Sequence, residues 1–135
     1  MTAKSIQDAL AERFLRYSAI SSQSDASSTT VPTSEGQWKL ARLLKSELEE
    51  AGAEAIHLSD TCVLTAKVPS NLPGDAAVPA IGFCTHLDTV DVNLSPDVKA
   101  RVIEYGGGDV CLNEANDVWM RESEHPEIAR YLSLI

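Results

Sequence analysis

The chain has 135 residues, of which 44% are hydrophobic, and these values are typical of one globular domain that folds in water. Its 20 acidic and 11 basic residues give a formal net charge of −9. Such a charge repels nucleic-acid phosphates and anionic lipid surfaces, so we expect neither nucleic acid nor membrane as a partner.

The sequence contains no apolar run of about 20 residues that could span a bilayer, and its first residues lack the apolar stretch of a signal peptide. An odd number of cysteines without an export signal is typical of free thiols in a reducing compartment, and here they are Cys62, Cys84 and Cys111. We therefore expect a cytoplasmic protein. The apolar residues 131–135 predict a truncated chain, because natural termini are usually polar.

Two helices are predicted in the first part of the chain. Apolar residues three and four apart predict an amphipathic helix over residues 5–17. The serine- and threonine-rich stretch at about 18–31 is predicted to be a flexible loop, either a passive linker or a mobile flap over a site. Ser34 and Gln37 have the spacing of a capping box for a second helix, which Gly52 ends.

The second helix is expected to bury an apolar face and to expose an acidic one. Its predicted buried face consists of Trp38, Ala41, Leu44 and Leu48. Lys45 and Glu49 are four residues apart and are expected to form a surface pair. The carboxylates of this helix are expected to face water rather than to form a site, and they are Glu47, Glu49 and Glu50.

Short extended segments follow the second helix. Residues 55–58 and 62–68 are predicted to form a hairpin, and the continuous apolar run 80–84 predicts a strand buried on both faces. A tight turn is expected at 106–109 and a helix at about 124–131. The predicted fold class is α/β, with helices on a partial mixed sheet whose central strand leads into the histidine at position 86.

His86 and Asp88 are the strongest candidates for chemistry. Side chains two residues apart in an extended backbone point the same way, and the carboxyl ends of strands are where α/β proteins build sites. An imidazole beside a carboxylate suits a metal ligand that the carboxylate orients, or a base that an acid orients. A structural His–Asp pair without a catalytic role is the alternative.

The other candidates are weaker. His57 lies in the predicted hairpin without a matching acid and is expected to be structural. The glycines at 106–108 lack the spacing of a phosphate-binding loop. Acidic residues near Pro126 are typical of a helix start, so the cluster there is not expected to bind metal, and it consists of Glu122, Glu124, His125 and Glu127.

Several segments, in this order and spacing, resemble the N-terminal part of the peptidase T family of tripeptide aminopeptidases, which are dizinc exopeptidases. They are Pro32–Gln37, Leu72–Asp75, Pro79–Thr89 and Gly107–Asp109. The resemblance implies a catalytic site in which two zinc ions activate a water that attacks the first peptide bond of a short peptide. By this resemblance, His86 matches a zinc ligand, and Asp88 matches the catalytic-site acid that holds the imidazole and tunes the metal.

The resemblance covers only the first part of the family. The family's bridging aspartate, glutamate pair and two further ligands lie beyond residue 135, so we expect one truncated catalytic-domain segment over residues 1–135 that carries part of a site for tripeptides. One alternative is a non-catalytic fragment that acts at most as a binding or assembly module, and another is a related dizinc carboxypeptidase or dipeptidase. Apolar surface left uncovered at Ile81, Phe83 and the tail residues Leu132, Leu134 and Ile135 predicts self-association.

Overall fold

The computed structural model describes residues 5–74, 78–92 and 95–131. The chain divides into two compact units, with the boundary after Ala100. None of the helices in the described ranges is long and apolar enough to cross a membrane. Two helices and two small antiparallel sheets confirm the predicted α/β class. The elements are α1 (Ile6–Ser18), α2 (Glu35–Glu50), β1 (Glu54–Leu58), β2 (Leu64–Lys67), β3 (Val110–Asn113), β4 (Val118–Met120) and a 3₁₀ helix (Pro126–Tyr131).

In the first unit, α2 packs against an antiparallel hairpin of β1 and β2, as predicted. His57 lies opposite Thr65 in this ladder. At the turn, the Ser59 hydroxyl accepts a hydrogen bond from the Val63 backbone N–H at 2.9 Å, which closes the hairpin. The buried apolar residues of this unit are few, and they are Leu40, Ala41 and Cys62.

The start of α2 differs from the predicted capping box. Ser34 occupies the N-cap position, but its side chain makes no capping hydrogen bond, and its buried Oγ has no hydrogen-bond partner among the described residues. Gln37 turns instead to Thr33, accepting from its backbone N–H at 3.2 Å and donating to its Oγ1 at 3.0 Å. The capping-box prediction is therefore wrong. The end of the helix is as predicted, because Gly52 has a φ of 77° immediately after the C-cap.

The buried face of α2 is also rotated from the predicted one. Ala41 is buried as predicted, but Gln37 and Leu40 are buried beside it. The other residues of the predicted face are only partly buried, and they are Trp38, Leu44 and Leu48. The difference arises because the buried Gln37 amide finds polar partners, so this side of the helix can face the interior.

Glu47 corrects the prediction of a fully solvated acidic face. Only 15% of its side chain is exposed, and its carboxylate accepts hydrogen bonds from Arg13, Arg16 and Tyr17 of α1. Burial opposes ionisation, but these hydrogen bonds and charges outweigh it and lower the pKa of Glu47. This carboxylate therefore ties the two helices together. The predicted Lys45–Glu49 pair is confirmed at 2.8 Å.

Helix α1 is confirmed, with Ser5 capping it by accepting from the Asp8 N–H at 3.1 Å. No residue of α1 is buried, so its apolar stripe is not covered by the described part of the chain. The large exposed side chains of the stripe are Ile6, Leu10 and Phe14.

The prediction of a buried strand over 80–84 is wrong. This segment belongs to no strand, and Ile81 and Phe83 are 80% and 96% exposed. A strand apolar on both faces needs a neighbour at each edge and cover on each face, and no described residue forms a ladder with this segment. The exposure of Ile81 and Phe83 agrees with the expected uncovered apolar surface, whereas the tail residues 132–135 lie outside the described residues.

The second unit is built on the antiparallel pair of β3 and β4. The predicted tight turn before β3 is confirmed, since Gly107 and Gly108 have φ values of 100° and 81° that favour glycine. The Gly108 N–H donates to the Glu122 carboxylate at 2.8 Å, which fixes this turn beside β4. The predicted helix at 124–131 is instead a 3₁₀ helix that begins at Pro126, because residues 122–124 form a turn.

Candidate functional site

His86 and Asp88 are brought together as the sequence predicts, although they follow an extended segment rather than a buried strand. His86 Nδ1 lies 2.7 Å from the backbone oxygen of Asp88 and 3.1 Å from its Oδ1. Both oxygens are acceptors, so Nδ1 carries the proton and donates to them. The other ring nitrogen, Nε2, is then left with a lone pair, on a side chain that is 79% exposed.

This arrangement is the one that a metal-binding histidine requires. A ligating imidazole typically donates its second N–H to a carboxylate or a backbone carbonyl, which fixes both the tautomer and the ring orientation. Asp88 supplies both kinds of acceptor to the same nitrogen. The pair can therefore present one oriented nitrogen ligand, or one base, to solvent.

The electrostatics of the pair favour an ionised Asp88. Burial opposes the charge, but hydrogen bonds from the Ser24 hydroxyl and from His86 outweigh it and lower the pKa of Asp88. The carboxylate therefore remains an acceptor for the imidazole at neutral pH.

The serine-rich loop supports this site. Gln23 forms a parallel bridge with Thr89, in which the Ser24 N–H donates to Thr89 O at 2.9 Å and the Thr89 N–H donates to Ser22 O at 3.3 Å. Ser22 is 3% exposed. The interpretation of this loop as a passive linker is therefore wrong for residues 22–24, while the flexibility predicted for residues 18–31 stays a prediction.

Gln37 connects the loop to α2. Its buried amide reaches the Ser22 carbonyl oxygen at 3.5 Å in addition to its bonds with Thr33. Four hydrogen bonds thus link Gln37, through residues 22–24, to Thr89, which directly follows the His86–Asp88 segment. The start of α2 therefore helps to hold Thr89, the residue that follows Asp88 in the candidate site.

 

The remaining candidates do not form a second site. His57, for which the sequence predicts a structural role, is exposed on β1. Near Pro126, His125 lies 3.3 Å from the Glu127 carboxylate, and the Glu122 carboxylate already accepts from Gly108. The three cysteines are free thiols, as predicted.

The zinc site that the resemblance implies needs several His, Cys, Asp or Glu side chains close together. A catalytic zinc typically has three protein ligands, and a two-metal site adds a bridging carboxylate. Within residues 5–74, 78–92 and 95–131, no three His, Cys, Asp or Glu side chains are grouped so that they could hold a metal. The described residues fit one oriented ligand and do not fit a complete zinc site.

Sequence reasoning missed the residues that support the pair. Ser22, Ser24 and Gln37 lie far from His86 in the chain, and only the polar, serine-rich composition of the loop marked it as unusual. The alternative interpretation of the loop as a mobile flap placed it over a site but did not predict a backbone bridge. A bridge of one residue leaves no periodic pattern in a sequence.

Curated relatives resemble this chain over most of its length, although no protein-family model matches it. Peptidase T-like proteins of Yersinia pestis and Rhizobium meliloti are 47% and 43% identical over 93% and 94% of the chain. Peptidase T of Geobacillus thermodenitrificans is 41% identical over 90% of the chain. The chain spans only about 30% of the length of these relatives. Over the segment that it spans, the chain belongs to the peptidase T family.

Proposed function

We propose that this chain is part of a zinc-dependent aminopeptidase that removes the N-terminal residue from tripeptides. The observation that carries the proposal is the orientation of His86, whose Nδ1 is held by two oxygens of Asp88 while the rest of the ring faces solvent. Similarity to peptidase T supports the peptidase class. The tripeptide substrate, the zinc and a cytoplasmic location are parts of the proposal.

In this proposal, His86 is a zinc ligand and Asp88 is the residue that orients it. Asp88 holds the proton on Nδ1, so that the lone pair of Nε2 is available to the metal. Among the described residues, His86 belongs to no group of three His, Cys, Asp or Glu side chains that could hold a metal. In the proposal the chain therefore contributes one zinc ligand and the residue that orients it. Short peptides are its expected substrates only when the remaining zinc ligands are present.

A chimera tests this function. The chain replaces the matching segment of a peptidase T relative, and hydrolysis of a tripeptide is measured with zinc present. We expect activity in the chimera and its loss in His86→Ala. Asp88→Asn is expected to lower activity by about 10- to 100-fold, as is typical when the partner of a ligating histidine is removed. His57→Ala, a change at an exposed histidine on β1, is the matched control.

Each outcome of this assay is informative. A folded chimera without activity, or one whose activity survives His86→Ala, contradicts the proposal. Cleavage of dipeptides alone, or release of the C-terminal residue, would instead favour the related dipeptidase or carboxypeptidase.

A binding or assembly module without catalysis is the second candidate. It is favoured by the exposure of Ile81 and Phe83, which lie just before the candidate site. Apolar side chains exposed close together often mark an interface. In that case the chain self-associates, and His86→Ala changes neither its assembly nor any activity.

A further inference from the structure

We propose that Ser24 is a positioning residue that acts through Asp88 on His86. This inference rests on the proposed function, because it assigns Ser24 to the support of the same histidine. The juxtaposition that carries it is the bridge between residues 22–24 and Thr89, together with the Ser24 hydroxyl, which donates to Thr89 O at 3.2 Å directly after Asp88.

One peptide unit connects the loop to the histidine. The carbonyl of the Asp88–Thr89 peptide accepts from His86 Nδ1 at 2.7 Å, and the N–H of the same peptide donates to Ser22 O at 3.3 Å. Since a peptide unit is planar, the direction of its N–H also fixes the direction of its carbonyl. The loop thereby sets where the acceptor for His86 points.

Ser24 holds the next peptide along the chain, which begins with the carbonyl of Thr89. Its backbone N–H donates to Thr89 O at 2.9 Å. Its hydroxyl donates to the same Thr89 O at 3.2 Å, so the backbone and the side chain of Ser24 both hold the residue that follows Asp88. The peptides on both sides of the Thr89 Cα are therefore held by the same loop, and the first of them carries the backbone oxygen that accepts the His86 proton.

The neighbouring serine provides a matched control. The Ser27 hydroxyl donates to the Asp25 carboxylate at 2.6 Å within the loop. Removing this hydroxyl perturbs the same loop with the same chemistry but does not touch Asp88. A purely structural effect of losing a loop hydroxyl would therefore be seen in both variants.

The test is the tautomer of His86 in the 135-residue chain without metal, read from the ¹⁵N shifts of its two ring nitrogens at about pH 8.5, where ordinary imidazoles are neutral. We expect Nδ1–H to predominate in the natural sequence. Ser24→Ala should lower the ratio of Nδ1–H to Nε2–H by roughly two- to fivefold, the effect of weakening one ordinary hydrogen bond. Ser24→Thr should restore the ratio, and Ser27→Ala should leave it unchanged.

An unchanged ratio in folded Ser24→Ala, or the same change in Ser27→Ala, overturns the inference. If Ser24→Ala does not fold, hydrogen exchange in the natural sequence decides: we expect slowed exchange of the Thr89 and Ser24 amides, and exchange at the rate of an unfolded chain overturns the bridge. An inactive chimera contradicts the proposed function and leaves the tautomer result standing. An unchanged tautomer leaves the function standing and removes only the role of Ser24.

Discussion

Replacing Gly36 with alanine separates local helix propensity from the packing beneath the candidate site. Gly36 lies in the first turn of α2, where alanine is the better helix former by at most about 1 kcal/mol. Propensity alone therefore predicts that Gly36→Ala stabilises the chain. The structure predicts the opposite sign.

A methyl group at position 36 would occupy the backbone of the serine-rich loop. An ideal Cβ built there lies 1.5 Å from Ser21 O and 3.2 Å from Ser22 Cα, whereas real Cβ contacts are essentially never under 3.0 Å. The atoms that obstruct it are backbone, so the loop or the helix must move. Such a shift displaces Ser22, which accepts the hydrogen bond from Thr89.

The size of the effect follows from these contacts. Overpacking typically costs about 1–3 kcal/mol, and each of the two backbone hydrogen bonds between residues 22–24 and Thr89 contributes about 0.5–1.5 kcal/mol. Allowing for the gain in helix propensity, we expect Gly36→Ala to lower the free energy of unfolding by about 2–4 kcal/mol.

Urea unfolding followed by circular dichroism at 222 nm measures this difference. Ser46→Ala, at an exposed position of the same helix, is the control and should raise stability by a few tenths of a kcal/mol, roughly the difference in propensity. Gly82→Ala is the second control, because no described residue other than its chain neighbours has a heavy atom within 4 Å of an ideal Cβ at this position. If Gly36→Ala is as stable as the natural sequence or more stable, the close packing of α2 on the loop is refuted.

Three further outcomes follow from the same contacts and charges. Glu47→Gln should lower the free energy of unfolding at pH 7 by about 1–2 kcal/mol. Because the folded pKa of Glu47 lies below its ordinary value of 4.5, this contribution is present above pH 4.5 and is lost as the pH falls through the folded pKa. An equal difference between the two proteins in strong acid would contradict the assignment. The 135-residue chain by itself should not hydrolyse a tripeptide above background with zinc or cobalt added, and turnover that disappears in Asp88→Ala would show that its site is complete. Light scattering should show self-association that increases with salt, because Ile81 and Phe83 are exposed and salt screens the net charge of −9 that keeps chains apart. A monodisperse monomer at both low and moderate salt would contradict this expectation.

The sequence predicted those elements that depend on residues close together in the chain. The periodicity of α1 and α2, the hairpin of β1 and β2, and the glycine turn at 106–108 all appear in the structure. The pairing of His86 with Asp88 was also predictable, because two residues separated by one position in extended backbone share a side.

The predictions that failed depended on partners distant in the chain. An apolar run at 80–84 indicates a buried strand only if other strands flank it, and the described residues provide none. Glu47 was predicted to be an exposed carboxylate, but two arginines and a tyrosine of α1 donate hydrogen bonds to it. The role of residues 22–24 beside Thr89 likewise depends on a contact that spans 65 residues.

Zinc binding by the 135-residue chain tests most directly whether His86 is one ligand of a site that the described residues leave incomplete. Equilibrium dialysis at neutral pH compares the natural sequence with His86→Ala. One oriented imidazole leaves most of the coordination to water, so we expect no tightly bound zinc in either protein and only weak binding of the kind that a surface histidine gives. Two tightly bound zinc ions per chain, lost in His86→Ala, would contradict this and show that the chain itself completes the site.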